Sequence, residues 1–68
     1  MSLSQTDWSR LFHRLNNQLG IVLAHAELLE SKAVDASDRI RAAQVVASTL
    51  AVMSTARALR HRTEAIAV

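Results

Sequence analysis

The sequence predicts an all-α protein, an antiparallel two-helix hairpin that dimerises into a four-helix bundle. Composition is the first reason, because the 68 residues include no proline, one glycine and only 3% aromatic side chains, a balance that favours helices over strands. The second is the spacing of apolar residues, which follows a helical period in both halves of the chain. The third is size, because so short a chain without cysteine buries too little surface alone and needs a partner.

The first half of the chain predicts one long helix over residues 4–31. Ser4 is the expected N-cap, and Asp7 suits the positive end of the helix dipole. We expect Trp8 and Phe12 to close one end of the core. The apolar residues alternate between spacings of four and three, which is a heptad pattern: Trp8, Phe12, Leu15, Leu19, Val22, Ala26 and Leu29.

The pattern lapses over residues 32–36, the predicted turn, and a second helix is expected over 37–66. Asp35 or Ser37 is its expected cap, with Asp38 in the first turn. Its apolar residues cover several sides of the helix: Ile40, Ala43, Val46, Ala47, Leu50 and Met53, widened by Val45, Ala51 and Val52. One partner helix cannot cover such a surface. A second copy completing a four-helix bundle can; the alternative is a fragment whose missing neighbour covers it.

Charge and targeting signals narrow the function class. The formal net charge of +2 is too small to imply nucleic-acid binding by itself. No run approaches the roughly 18 continuous apolar residues of a membrane span, and the start of the chain lacks the pattern of a signal peptide. We therefore expect a single soluble domain, residues 1–68, in the cytoplasm. We expect neither a metal nor a cofactor, because there is no cysteine, no metal-ligand spacing of histidines and no glycine-rich phosphate loop.

A narrow strip of polar and small residues interrupts the first helix. Asn17 lies one turn after His13 on the same side, Gly20 continues that line, and Asn16 flanks it. His13 directly follows Phe12, so it is expected at the edge of the buried stripe and in reach of water. Such a strip would let another protein approach the histidine closely. The alternative is that Gly20 only permits close helix packing and His13 is an ordinary surface residue.

The stretch FHRLNNQLGIVLAHAELLE, residues 12–30, resembles the phosphoacceptor box of sensor histidine kinases, in their dimerisation and histidine-phosphotransfer domain. Arg14 stands where many of these boxes have an acid, and Gln18 stands where they have proline. A second branch of the family carries His-Arg-x-x-Asn, which His13, Arg14 and Asn17 match. The residues that fit the commoner pattern are His13, Leu15, Asn16, Asn17, Leu19 and the later run from Ala26 to Leu29.

The resemblance implies a parallel dimer of hairpins with His13 exposed as the phosphoacceptor. It further implies that Arg14 steadies phosphate oxygens and that Asn17 orients the phosphoryl group or a water. The expected partners are a second copy, a response-regulator receiver domain and a separate ATP-binding kinase subunit. The chain is not expected to be a complete kinase, because nothing in it binds a nucleotide and the phosphate must come from a partner.

Basic residues are expected to gather at the histidine end of the hairpin. Folding about residues 33–35 would set Arg57 roughly opposite His13, with Arg10 and Arg14 nearby. Together with Asn16 and Gly20, Arg10 and Arg57 are therefore candidates for binding the phosphoryl group or the partner. The alternative is a solvated helix terminus whose arginines favour the dipole. His25 is expected to be a histidine at the edge of the bundle rather than a second acceptor.

Two functions remain open from the sequence. The first is a phosphotransfer-type domain of a two-component phosphorelay, in which His13 accepts or relays phosphate. The second is a non-catalytic decoy or adaptor bundle that binds a histidine kinase or response regulator without being phosphorylated. Both require the same fold, so labelling and binding experiments are needed to separate them.

Overall fold

Two long helices make up the structure. The computed structural model describes the backbone of residues 4–67 and the side chains of residues 4 and 6–65. Helix α1 spans Gln5–Lys32 and helix α2 spans Ala36–Ala67, and the described part of the chain contains no strand. The helices pack along each other as a hairpin with extents of 50 × 17 × 15 Å. The prediction of an all-α hairpin is confirmed.

A capping box fixes the start of α1. The Ser4 hydroxyl oxygen accepts a hydrogen bond from the Asp7 backbone N–H at 3.2 Å, and an Asp7 carboxylate oxygen accepts one from the Ser4 N–H at 3.3 Å. Two backbone donors that have no partner within the helix are thereby satisfied. The cap that the sequence predicted at Ser4 is confirmed.

The turn is short and contains no glycine. Ala33, the C-cap of α1, has an extended backbone with φ −66° and ψ 125°, and its carbonyl oxygen accepts a hydrogen bond from the Arg39 guanidinium at 3.0 Å. The Arg39 N–H donates to the Asp35 carbonyl oxygen at 3.0 Å, which closes the first turn of α2. Arg39 therefore ties the end of α1 to the start of α2.

Small side chains dominate the seam between α1 and α2. The buried apolar residues are Phe12, Ala26, Ala42 and Ala56, and Thr49 is buried beside them. The Thr49 hydroxyl donates to the Val45 carbonyl oxygen at 2.7 Å, so its burial leaves no polar atom unpaired. Most of the buried and half-buried positions follow a heptad spacing: Phe12, Asn16, Leu19, Leu23, Ala26 and Glu30 on α1 with Ala33 at its C-cap, and Ala42, Val46, Thr49, Met53, Ala56, Arg60 and Thr63 on α2. The half-buried Leu15, Gly20, Ala43 and Glu64 lie beside this line.

The heptad positions predicted for α1 coincide only in part with the positions that pack against α2. Phe12 and Ala26 are buried as predicted, but Trp8, Val22 and Leu29 are exposed. The apolar pattern of α1 is wide enough for two heptad seams one residue apart, and one partner helix covers only one of them. The hairpin uses the seam with the smaller residues, and most of the larger side chains remain outside.

Eight apolar side chains, most of them exposed, lie on one side of the hairpin, and we call this surface the apolar face; the exposed Ile21, Leu28, Ile40 and Leu50 do not belong to it. Except for Trp8, each of its residues comes directly before a seam position, as Leu11 comes before Phe12, and in an antiparallel pair these positions lie on the same side of both helices. Exposed polar residues on the same line include Gln18, His25, Arg41, Ser48 and Thr55. A groove of ≈ 390 Å³ lined by both Leu29 and Val45 confirms that the two helices share this side. The apolar face consists of Trp8, Leu11, Leu15, Val22 and Leu29 on α1 and Val45, Val52 and Leu59 on α2.

One helix of the described chain meets a membrane-span test of length and composition. The segment Ala36–Ala65 has a window with a mean hydropathy of 1.2, of which 17% is buried. The core helices of soluble proteins pass the same test, so the observation is weak. The cytoplasmic location expected from the sequence remains a prediction.

Candidate functional site

His13 lies on the side of the hairpin away from the apolar face. It directly follows Phe12, which is 6% exposed in the seam, whereas Leu11 of the apolar face directly precedes Phe12. At about 100° per residue, these two neighbours of Phe12 point to opposite sides. The His13 side chain is exposed to solvent, and an approaching molecule can reach its ring.

The strip predicted beside His13 has two different parts. Asn17 is exposed one turn after His13 and Gly20 follows on the same side, whereas Asn16 is half-buried at a seam position that faces α2. Asn17 is therefore placed to contact a group bound at His13. Asn16 is placed to contact α2 instead.

Gly20 is not required for packing within the hairpin. A Cβ built at Gly20 meets no atom within 4 Å, and the residue has no positive φ. Glycine in a helix interior lowers stability by about 1 kcal/mol relative to alanine. Neither packing in the hairpin seam nor the backbone conformation explains a glycine at this position. The open space above Gly20 belongs to the surface beside His13.

Three of the candidate arginines are exposed and at the same end of the hairpin. Arg10 lies one turn before His13 and Arg14 directly follows it, so each is on α1 within one turn of the ring. Arg57 directly follows the buried Ala56 on α2, which places it on the His13 side of the second helix. We call this surface the His13 face and define it by His13, Asn17, Gly20, Leu50 and Arg57.

The charge around His13 is positive. Within the described chain the one ion pair joins Arg60 to Glu64 at 3.0 Å, so neither Arg14 nor Arg57 is neutralised by a described carboxylate. Ser9, Arg10, Asn16 and Asn17 are the residues three and four positions from His13, and none is acidic. An anion would be attracted to this end of the hairpin, while a general base is lacking on the adjacent turns.

Polar residues also lie on the apolar side, and Ser48 among them was not singled out from the sequence. Gln18 precedes Leu19 and Ser48 precedes Thr49, so both continue the line of the apolar face. The sequence signal that could have located this side of α2 is the seven-residue repeat of Val45, Val52 and Leu59. Among the described side chains, no group of three or more histidine, cysteine or acidic residues could hold a metal.

No family model, curated protein or solved structure matches the chain. The likeness of residues 12–30 to the histidine kinase phosphoacceptor box therefore remains an expectation drawn from those residues.

Proposed function

We propose that this chain is a dimeric phosphotransfer-type domain of a two-component phosphorelay, with His13 as the phosphoacceptor. The observation that carries the proposal is an exposed His13 ring with two arginines and an asparagine within one helical turn. These side chains lie opposite a large apolar face that a second copy can cover. The histidine is thus left open to a visiting protein while the core of a bundle forms behind it.

The proposed reaction needs few groups from this chain. A neutral imidazole nitrogen of His13 attacks the phosphorus of a donor, which is a phosphohistidine, an aspartyl phosphate or ATP held by a partner. The new N–P bond forms as the bond from phosphorus to the donor atom breaks, and the donor atom keeps the electron pair. Phosphoryl transfer depends mainly on positioning and charge stabilisation. Arg14 and Asn17 supply these to the phosphoryl oxygens, and Arg10 and Arg57 attract the donor.

Dimerisation is supported by the amount of surface that the hairpin leaves uncovered. A compact monomer of 7.5 kDa exposes about 4,250 Å², whereas the hairpin exposes 5482 Å². The excess of about 1,200 Å² exceeds the roughly 800 Å² that each partner buries in an ordinary stable interface. Pairing of two hairpins into a four-helix bundle would remove this excess.

A binding function without phosphorylation is the second candidate, and one observation favours it. Arg14 occupies the position after His13, and the adjacent turns contain no carboxylate. A bundle with this sequence could bind a kinase or a receiver domain through the His13 face and never be labelled. The two candidates agree on the docking surface and differ only in whether His13 forms a bond to phosphorus.

Labelling by a kinase separates the two candidates. The chain is incubated with a histidine kinase and ATP labelled at the γ-phosphate, and His13→Gln is compared with His25→Gln. Acid-labile label on the wild type and on His25→Gln, but not on His13→Gln, supports phosphotransfer. Stable binding of the kinase without label, unchanged in His13→Gln, supports the adaptor. Label that survives in His13→Gln contradicts the assignment of His13.

A further inference from the structure

Charge is distributed unevenly along the hairpin. The half that contains His13, formed by residues 1–20 and 49–68, carries five arginines and two carboxylates, whereas the half with the turn carries three cations and four carboxylates. The formal net charge is therefore +3 in the first half and −1 in the second. A multiply charged anion is attracted to the end of the hairpin away from the turn, which we call the open end.

The two carboxylates of the basic half are engaged within the hairpin. Asp7 accepts hydrogen bonds from Ser4 in the capping box, and Glu64 accepts one from the Arg60 guanidinium at 3.0 Å. Within the described chain, the other arginines of this half have no carboxylate partner: Arg10, Arg14, Arg57 and Arg62. Their charge is therefore available to a ligand.

Two pairs of basic side chains lie on the same side of the open end, one pair on each helix. On α1, Arg10 precedes His13 by three residues, and on α2, His61 follows Arg57 by four, spacings at which side chains are neighbours on a helix. All four side chains are exposed. His13 and Arg57 each directly follow a buried seam residue, which places both pairs on the same side of the antiparallel hairpin.

The two pairs also lie at nearly the same height. Leu19 and Thr49 line one groove, so the residues one heptad nearer the open end, Phe12 and Ala56, are level with each other. At a rise of about 1.5 Å per residue, the two pairs together span about 9 Å along the hairpin, and packed helices lie about 8–10 Å apart. They form one compact cluster, which we call the basic quartet: Arg10, His13, Arg57 and His61.

The size and the chemistry of the basic quartet favour a short chain of phosphates over larger anions. Guanidinium groups donate paired hydrogen bonds to phosphate oxygens, and imidazole rings supply further donors. Nucleic acids usually cover about 600 Å² or more of a protein, which is far more than a cluster about 9 Å on a side. Single strands also stack on aromatic side chains, and the quartet contains none.

We infer that the basic quartet is a reversible binding site for an oligophosphate, a linear chain of phosphate groups such as tripolyphosphate. Arg10 and Arg57 bind phosphate oxygens from the two helices, and the rings of His13 and His61 donate hydrogen bonds at the two ends of the cluster. No bond to His13 forms, so the site goes beyond the proposed phosphotransfer. Because a bound oligophosphate would cover His13, it should also slow the labelling of that ring by a phosphoryl donor.

Proton NMR of the three histidine rings tests the site in the unmodified chain. Titration with tripolyphosphate, at constant pH and ionic strength, should shift the ring signals of His13 and His61 along one saturable curve. His25 directly precedes the buried Ala26 on the other side of the hairpin, and its signal should not move. Equal shifts of all three rings, or no shift at His61, would overturn the inference.

Paired arginine substitutions separate the site from the general charge of the open end. Arg57→Gln removes one charged donor of the quartet and should weaken the binding of tripolyphosphate about tenfold. Arg62→Gln removes the same charge at the same end, but Arg62 precedes the half-buried Thr63 and lies on the side of the apolar face. Its effect should be less than about twofold, because distant surface charges are screened by salt. Equal weakening by the two substitutions contradicts a site on the His13 side.

Other anions test the class of ligand. A glutamate peptide and a single-stranded oligonucleotide, each added at the same concentration of negative charge, should shift the two rings less than tripolyphosphate does. Either one binding as tightly as tripolyphosphate would overturn the assignment. The titration measures reversible binding without a kinase or a receiver domain. Its failure leaves the proposed phosphotransfer standing, and a failure of labelling at His13 leaves the oligophosphate site standing.

Discussion

Trp8 and Phe12 stack on each other across one helical turn, with ring centroids 5.9 Å apart and ring planes inclined by 28°. Phe12 is 6% exposed and belongs to the seam inside the hairpin, whereas Trp8 is 37% exposed and belongs to the apolar face. The pair therefore joins the core of one hairpin to the surface that a second hairpin is proposed to cover. The sequence predicted that both rings close this end of the core. Within the single chain, only Phe12 is buried.

The single tryptophan of the chain reports on dimerisation. Because the proposed dimer covers the apolar face, the fluorescence of Trp8 should shift to longer wavelength when the protein is diluted and the indole becomes hydrated. Emission maxima recorded over a dilution series measure the effect. Leu59→Glu, at a site that is 54% exposed on the same face, should emit at long wavelength at every concentration. Emission that is independent of concentration and identical in this variant would contradict a dimer through the apolar face.

The capping box makes a measurable contribution to stability. Ser4→Ala removes the oxygen that accepts from the Asp7 N–H and should lower the free energy of unfolding by about 1 kcal/mol. Urea unfolding followed by circular dichroism measures the change. Ser9→Ala, an exposed position in the same helix, should change stability by less than about 0.5 kcal/mol. Equal effects at the two serines would refute a stabilising role for the cap.

Substitutions at Gly20 test the stability of the hairpin and the docking of a partner separately. Gly20→Ala should raise the free energy of unfolding by about 1 kcal/mol, since alanine is the better helix former and its Cβ meets no atom within 4 Å. Gly20→Gln should also fold, but its side chain would extend over the surface beside His13 and weaken the binding of a receiver domain or kinase. Ala24→Gln, one turn further along, provides a control for the distance from His13. A receiver domain that binds Gly20→Gln as tightly as wild type would exclude docking over Gly20.

The arginines near His13 should accelerate the transfer of phosphate to its ring. Arg14→Gln removes the charge of the residue that follows His13, and we expect labelling at least about tenfold slower, in line with the loss of one charge-stabilising donor. Arg41→Gln removes one charge on α2 at the turn end of the hairpin, far from His13, and is the control once sedimentation shows that its oligomeric state is unchanged. Raising the salt concentration should slow the wild type more than Arg14→Gln. Equal rates for the two variants would mean that Arg14 is only a solvated side chain.

The helices and the first cap could be predicted because the signals for them are local. Ser4 and Asp7 are three residues apart in sequence, and the lapse near Asp35 marks the turn without reference to packing. The exposure of His13 could be expected for a similar reason. Phe12 occupies the hairpin seam on either reading of the apolar pattern, and the residue after it lies at the edge of the buried stripe.

The pairing inside the hairpin could not be predicted from α1 alone. The predicted and observed seams share Phe12, Leu19 and Ala26 and differ by one residue between these positions, and only the partner helix decides between them. The buried positions of α2 are small, such as Ala42, Thr49 and Ala56. They let the helices approach closely, and Val22 and Leu29 lie outside the seam of the single hairpin. Thr49 would not be chosen as a core residue from its polarity, because its bond to the Val45 carbonyl exists only in the folded helix.

The most direct test is to compare the chain's three histidines as phosphoryl acceptors in one reaction. His13, His25 and His61 are all exposed in the hairpin, but His25 precedes the buried Ala26 on the side that the proposed dimer covers, so His61 is the matched comparison for His13. With phosphoramidate as donor and peptide mass spectrometry as readout, the proposal predicts that phosphate appears first and predominantly on His13, and that Arg14→Gln reduces the preference. Equal labelling of the three rings, or preferential labelling of His25 or His61, would contradict it.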